Sequence, residues 1–523
     1  MIYPICYEQM TEPVYPADKW DYSPSEDYPE YRCEEIAPER NEVYERLRDG
    51  FFRMGLDAAH FGTRDWNPLG DLIRPGQTVL VKPNLVMHEN PAGGLFPLVT
   101  HPSLIRAVLD YVYLALQGTG RVIVGDAPVQ SCDFDRLLRD GGYDRLTAFY
   151  RRLGKELKFY DFRNTIVERT ADGVLIPKEN RNGGFGCRVI SLNENSCFAA
   201  LPEDEQQKLR ITNYPAEKLL SHHHGKVHEY LVTEALLQAD VVINMPKPKA
   251  HRKAGVTGAL KNMVGINASK EYLPHHRIGS AEEGGDEYLK KDPLKAAQTR
   301  LQERIDRAND SGDFKTVRKL QKESVLLYQL RKVTGSARSP EGCFSEGSWY
   351  GNRTIDKTIQ DLQQIVFYAD KEGVLRPGKA QRRMLVIADM VICGQKEGPL
   401  LPESWPLGGI LMGEEPAATD RVILKLFGLP EERFPSVTEA DKASATEIGK
   451  ATDTAADIPS DGESSIAYHV PAAGISLVSN REEYCFASYE ELPVAGQSIT
   501  LSSGWECVKD EFAQKHKSQS GEA

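Results

Sequence analysis

The sequence predicts an α/β protein of three layers, a mostly parallel sheet with helices on both faces. Three observations lead there. Short runs of unbroken aliphatic residues, Val79-Leu80-Val81 and Val241-Val242-Ile243, have the composition of strands buried on both faces. These runs alternate with longer segments of helical periodicity. The stretch from Thr78 to Val124 reads as one complete β-α-β unit, whose right-handed crossover makes neighbouring strands parallel. A chain of 523 residues with 40% hydrophobic side chains has ample material for such a core; its length suggests two to four domains, and the α/β part is expected as two lobes.

The elements follow in order. Residues 1–35, rich in Pro, Tyr and Asp, read as an extended N-terminal arm laid over the domain. An α/β core is expected over 36–289, starting with a helix across 38–60 and a strand from Thr78 to Val81 that Pro83 stops. Thr100 is placed to cap a helix that Pro102 opens and that runs to about Leu116, before Gly118 and Gly120 end it. Arg121–Val124 is the next strand, with later strands at 241–243, 384–392, 408–412 and 475–478. The densely charged segment 290–333 has Leu and Ile at helical spacing and breaks at Asp310-Ser-Gly-Asp313, which predicts an inserted helical hairpin. The core resumes over 334–435. Residues 436–465 are polar and acidic and read as a mobile loop, 466–509 as C-terminal strands, and 510–523 as a disordered tail.

Composition narrows the function. A net charge of −12 opposes nucleic-acid binding, which needs a clustered basic excess. No apolar run reaches about 18 residues and the first residues lack a basic, apolar leader, so a cytoplasmic protein without a membrane partner is expected. The nine cysteines are scattered without a C-x-x-C pair, which signals neither a zinc ribbon nor a cysteine-held cluster. His222-His223-His224 and His228 include an i, i+4 pair, yet three consecutive histidines cannot converge on one ion and no HExxH completes them. They are read as a polar helix start, and no metal site is assigned.

The chemistry is expected at strand ends, because open α/β sheets bind ligands beyond the carboxyl ends of their strands. Lys82 and Asn84 leave the first core strand there, and Asp126 follows Gly125, which has no side chain to block a ligand. The strongest segment runs from Ala239 to Gly265: a buried strand enters a loop carrying Lys247, Lys249, His251, Thr257, Lys261 and Asn262 among glycines 255, 258 and 265. The turn from Gly255 to Gly258 is suited to aim backbone N–H groups at a phosphate or carboxylate, with a following helix start adding positive potential. His251 is the natural proton carrier near neutral pH. Neither GxxxxGK[ST] nor GxGxxG is present at the first strand, so the usual nucleotide-binding signatures fail.

Several of these motifs occur together and in order. Val79-Leu-Val-Lys82-Pro-Asn84, Thr100-His101-Pro102, Val124-Gly125-Asp126, Asn244-x-Pro246-Lys247-x-Lys249-x-His251 and Val256-Thr257-Gly258-Ala-Leu-Lys261-Asn262-Met-Val-Gly265 resemble the bacterial and archaeal family known as domain of unknown function 362. The resemblance spans most of 70–430 and takes in Ser348-Trp349-Tyr350-Gly351-Asn352, Gly398-Pro399-Leu400 and Ala417-Ala418-Thr419-Asp420. It implies roles for Thr100, His101 and Asp420 beside the residues already named. Many members carry appended ferredoxin-type cysteine motifs, a pattern missing from this sequence. More distantly, the loop resembles that of the lactate racemase family, in which a Lys follows a His by ten positions, as Lys261 follows His251. That kinship implies a metal-dependent racemase or epimerase acting at the α-carbon of a hydroxy acid or sugar.

The resulting expectation is an enzyme, an oxidoreductase or isomerase, that binds an anionic small metabolite or sugar and transfers a proton or hydride, with its cofactor and oligomeric state left open. His251, Lys261 and Asp126 are the expected catalytic groups. Lys82, Asn84, Thr100, His101, Lys247, Lys249, Thr257, Gly258, Asn262 and Asp420 are the expected substrate-binding groups. The alternatives are the racemase or epimerase just described and a non-catalytic metabolite- or carbohydrate-binding module.

Overall fold

The computed structural model describes residues 3–32, 35–170, 175–180, 183–336, 344–438, 474–492 and 498–508. The loop expected over 436–465 lies outside them from residue 439 onward, as does the tail expected over 510–523.

The central sheet has ten strands, numbered here in chain order: β1 Tyr3–Gln9, β2 Thr78–Pro83, β3 Arg121–Asp126, β4 Phe159–Asp161, β5 Val241–Met245, β6 Lys249–His251, β7 Gly255–Thr257, β8 Arg383–Gln395, β9 Glu403–Gly413 and β10 Ile475–Ser479. Their order is β10-β1-β9-β8-β5-β2-β3-β4, with β6 joining β8 and β7 at the side. Along that path β9 runs against its neighbours and the other strands run parallel to one another. The fold is thus the expected α/β type.

The aliphatic runs behave as strands buried on both faces must. Leu80, Val242 and Val386 enter one core, while Val79, Val81, Val241, Ile243, Leu385 and Ile387 enter the other. Helices α1 Glu42–Arg53 and α2 Pro102–Leu116 cover the second face through Leu47, Phe51, Leu104 and Val108. On the first face lie α3 Ala259–Asn262, α6 Thr354–Tyr368 and α7 Pro416–Leu426, through Leu260, Ile359, Leu362 and Val422. The charged segment forms α4 Pro293–Asp310 and α5 Phe314–Thr334, which pack on each other through Leu301, Ile305, Val317 and Leu320.

Three local expectations differ from the structure. The N-terminal segment does not begin as an arm: Tyr3–Gln9 pairs with β9 and β10, its Ile5 and Cys6 fully buried. The prolines that suggested an arm lie mostly beyond it. The cap of α2 is His101, whose Nδ1 accepts the Ser103 N–H at 3.1 Å, while Thr100 bonds elsewhere. The histidine cluster is no helix start but a strand pair, His223–His224 against Val227–Thr233, with His223 and His228 buried. Consecutive polar histidines carry no period, so their pairing was set by the strand that follows.

Candidate functional site

Strands β3, β2, β5 and β8 lie side by side, so their carboxyl ends converge. The chain after β5 folds back over this edge as β6 and β7, then as α3. At the floor, buried Lys82 brings Nζ to 2.7 Å from Asp126 Oδ1 and donates to the Pro83 carbonyl at 2.9 Å and to Asn262 Oδ1 at 3.2 Å. Asp126 also accepts the N–H groups of Leu85 at 2.6 Å and Ala127 at 2.9 Å. Burial lowers the Lys82 pKa, and the neighbouring carboxylate opposes that shift. Gly265 crosses directly above: a Cβ there would stand 1.9 Å from Asp126 Oδ1. Gly125 is small for another reason than ligand access, since a Cβ would meet the Tyr160 carbonyl at 2.5 Å.

A buried amide network extends this floor. Asn262 Oδ1 accepts from Asn84 Nδ2 at 3.0 Å as well as from Lys82, and Asn262 Nδ2 donates to the Lys82 carbonyl at 3.1 Å and to Asn244 Oδ1 at 2.8 Å. Thr100 Oγ1 accepts the Asn84 N–H at 2.9 Å and donates to the Met245 carbonyl at 2.8 Å, tying β2 to β5. Lys249 Nζ donates to Asn84 Oδ1 at 2.7 Å and to the Leu98 carbonyl at 2.9 Å.

Above the floor is a cavity of about 370 Å³ whose lining includes Lys249, Lys253, Lys261, Lys270, His251 and His275. Asn84, Asp126, Thr257 and Asn262 also reach it, as do Asp306 and Asp310 of α4. Lys218 pins this outer wall, at 2.8 Å from Glu271 and 2.6 Å from Asp310. Lys253 Nζ donates to Thr212 Oγ1 at 3.2 Å and to the Glu346 carbonyl. The side chains of Lys261 and Lys270 have no hydrogen-bond or ion-pair partner among the described residues. Burial lowers Lys270 and Lys253 to about 8. It lowers Lys261 to about 7, helped by the charges of Lys270 and Lys82.

The two histidines of the cavity are fixed as opposite tautomers. His251 Nδ1 accepts the backbone N–H groups of Lys253 and Ala254, both at 3.1 Å. Nδ1 thus carries no proton and Nε2 does. His275 Nδ1 instead donates to the Leu273 carbonyl at 2.8 Å, leaving Nε2 with a free lone pair. Burial, with nearby lysines, holds both rings well below the usual imidazole range, so both are neutral at pH 7. The arrangement supplies one ring N–H donor, one ring acceptor and several cations to a single pocket.

Of the expected residues, Asn84, Asp126, Lys249, His251, Thr257, Lys261 and Asn262 come together here, with Lys82 just beneath them. Others do not reach the cavity. Lys247 is fully buried between Asp389 at 3.1 Å and the Tyr15 hydroxyl at 2.5 Å, and the His101 ring stacks on Tyr15 at 3.8 Å. Thr100 is used up in joining strands. The expected anion cradle holds the chain's own carboxylate: Asp420 accepts the N–H groups of Ala259 at 2.5 Å and Leu260 at 3.0 Å, and a Cβ on Gly258 would lie 2.2 Å from Asp420 Oδ1. Burial raises Asp420 to about 7 against those two bonds.

Lys253, Lys270 and His275 were absent from the expected set. One signal was available: the single stretch 247–276 carries five lysines and three histidines in an acidic chain. The position of His275 is set from afar, since Asn352 Nδ2 donates to its carbonyl at 2.9 Å while Asn352 Oδ1 caps α6 at Thr354.

No curated protein matches this chain. A protein of Thermotoga maritima with a solved crystal structure is similar to it at 11% identity and a TM-score of 0.29, over 76% of this chain; the chain spans 59% of that protein's length. The model of a family described as domain of unknown function (DUF362) matches residues 79–177 and 193–425, which include Lys82, Asp126, His251, Lys261, Lys270 and His275. Matched over more than half its length, with the whole cavity floor inside the match, the chain belongs to the DUF362 family.

Proposed function

We propose that the protein is an enzyme that binds an anionic small molecule in this cavity and transfers a proton within it. The observation that carries the reading is the lining itself: Lys261 and Lys270 without counter-ions, beside two neutral histidines of opposite tautomer. Unpaired cations in a partly dry space are matched by a ligand of opposite charge, and the volume is of the size that encloses a metabolite. His275 Nε2 is the proton acceptor. His251 Nε2–H donates a hydrogen bond to an oxygen that gains charge as the proton leaves, the role of an oxyanion donor. This differs from a simple acid/base role for His251, because two backbone donors occupy its only other nitrogen.

The test uses a panel of small hydroxy, keto and phosphorylated acids in deuterated water, with NMR reading exchange of substrate C–H for deuterium. Exchange by the parent protein and its loss in His275→Gln, with anion-induced thermal stabilisation retained, is the expected result. A protein that no anion stabilises and that exchanges no proton would end the reading.

A further inference from the structure

We propose that Lys261 is a covalent amine, which forms an imine with the aldehyde or keto group of an anionic carbonyl compound. This rests on the anion-binding reading above and narrows its substrate to a carbonyl-bearing acid. The cavity lysines are not equivalent. Lys82 faces a carboxylate, and Lys249 and Lys253 are held by carbonyl and side-chain oxygens. Lys261 lines the cavity with none of these. Its backbone is nonetheless fixed on both sides, by Asp420 at Ala259 and Leu260 and by the four hydrogen bonds of Asn262. Lys270, the other amine without a hydrogen-bond or ion-pair partner among the described residues, stands in a short turn, Lys270–Tyr272. Asp126 attracts both amines, but it is the leading charge on Lys270, whereas repulsion by Lys270 and Lys82 comes first at Lys261.

A partly buried amine without acceptors, set among other cations, is nucleophilic at a lower pH than an ordinary lysine. Burial and the neighbouring lysines bring Lys261 down to about 7, so far more of it is neutral near pH 7 than of an ordinary lysine. The Nζ lone pair attacks the carbonyl carbon as the C=O π bond breaks. The proton lost from nitrogen passes to the oxygen through His275 Nε2, giving a carbinolamine. One further proton, taken up from solvent through the protonated cavity lysines, lets the hydroxyl leave as water while the nitrogen lone pair closes the C=N bond, giving the protonated imine; no oxidant is consumed. The positive nitrogen then acidifies the adjacent C–H, whose proton His275 Nε2 accepts, leaving an enamine. Lys249, Lys253 and Lys270 remain to hold the carboxylate end.

The experiment treats the full chain with glyoxylate and sodium cyanoborohydride near neutral pH and maps carboxymethylated lysines by peptide mass spectrometry. Lys261 should be labelled on the order of 10-fold or more above exposed Lys371, since an ordinary lysine is almost wholly protonated there. Oxalate, which has two carboxylates and no reactive carbonyl, should suppress that labelling and raise the melting temperature. Lys261→Arg should abolish the label while oxalate still stabilises the protein. Label spread over surface lysines, or concentrated on Lys270, with oxalate stabilisation intact would overturn the covalent role and leave anion binding standing. Neither label at Lys261 nor stabilisation by oxalate would overturn both.

Discussion

Lys82 Nζ stands 2.7 Å from Asp126 Oδ1, and the pair locks the carboxyl ends of β2 and β3 together beneath the cavity. Both charges are satisfied inside the protein, the acid by two backbone N–H groups and the amine by two further oxygens. A buried pair so completely bonded tolerates the loss of neither member, because the survivor is left charged without a partner. Asp126, expected as a catalytic group, lines the cavity and is also tied into its floor through Lys82, which in turn bonds Asn262.

Lys82→Met should consequently destabilise the protein by about 3–5 kcal/mol in urea unfolding, the usual loss when one buried partner is removed. The double variant Lys82→Met with Asp126→Asn should recover part of that loss. A single variant within about 1 kcal/mol of the parent would mean that water already reaches the pair.

Gly265→Ala tests the same floor from above. The new methyl would stand 1.9 Å from Asp126 Oδ1 and 2.8 Å from Lys82 Nζ, so either the pair or the segment after α3 must move. A loss of about 1–3 kcal/mol is expected, as for other overpacked sites, together with weaker oxalate binding by calorimetry. Unchanged affinity and stability would show that the segment is free to rise.

The histidines separate by function under substitution. His251→Gln removes the acceptor of two backbone N–H groups and should lower stability by about 1–3 kcal/mol. His275→Gln should keep the fold, yet remove on the order of 10²-fold or more of turnover once a substrate is in hand. Equal turnover in folded parent and His275→Gln protein would eliminate His275 as the base.

Much of the fold and half of the site were readable before the structure. Unbroken Val and Ile runs declare strands buried on both faces, and such strands leave little choice of architecture. The strand ends then placed Lys82, Asn84, Asp126 and Lys249 correctly near one another. What could not be read was which way each side chain turns. Lys247 and Lys249 are two residues apart, yet one reaches the Asp389 carboxylate and the other lines the cavity with Asn84. Asp389 lies more than a hundred residues away in sequence, so no local pattern announces it. Asp420 was hidden likewise: a glycine-rich turn looks the same in sequence whether its anion is a ligand or a side chain of the same chain.

Glu415 gives a pH-dependent test away from the cavity. It is buried before α7, and burial raises its pKa to about 8, partly offset by the Ala417 N–H. Between the ordinary carboxylate range and about 8 the folded state keeps this proton and the unfolded state has lost it. Its contribution to stability therefore falls as pH rises through that window. Glu415→Gln should remove this slope, gaining on the parent by a few kcal/mol toward the alkaline end and matching it near pH 4. Parallel stability curves for the two proteins across that range would show that the carboxyl is already ionised in the folded state.

Anion affinity should follow the cavity lysines. Lys261 is lowered to about 7, and Lys253 and Lys270 to about 8, chiefly by burial, so each loses its charge in a range where surface lysines keep theirs. The protonated amines are the anion-binding forms. Oxalate affinity, measured by calorimetry, should thus be greatest below about pH 6 and weaken steadily through pH 7 to 9, with proton uptake on binding near neutrality. Because the bound anion favours the charged amines, the midpoint in the complex should lie above that of the free protein. Lys261→Arg, which stays charged throughout, should flatten the lower part of the curve, and Lys261→Met should weaken binding most at acidic pH. An affinity that is constant from about pH 6 to 9 would mean that these lysines do not hold the anion, since bulk-like lysines near 10.4 would not titrate there.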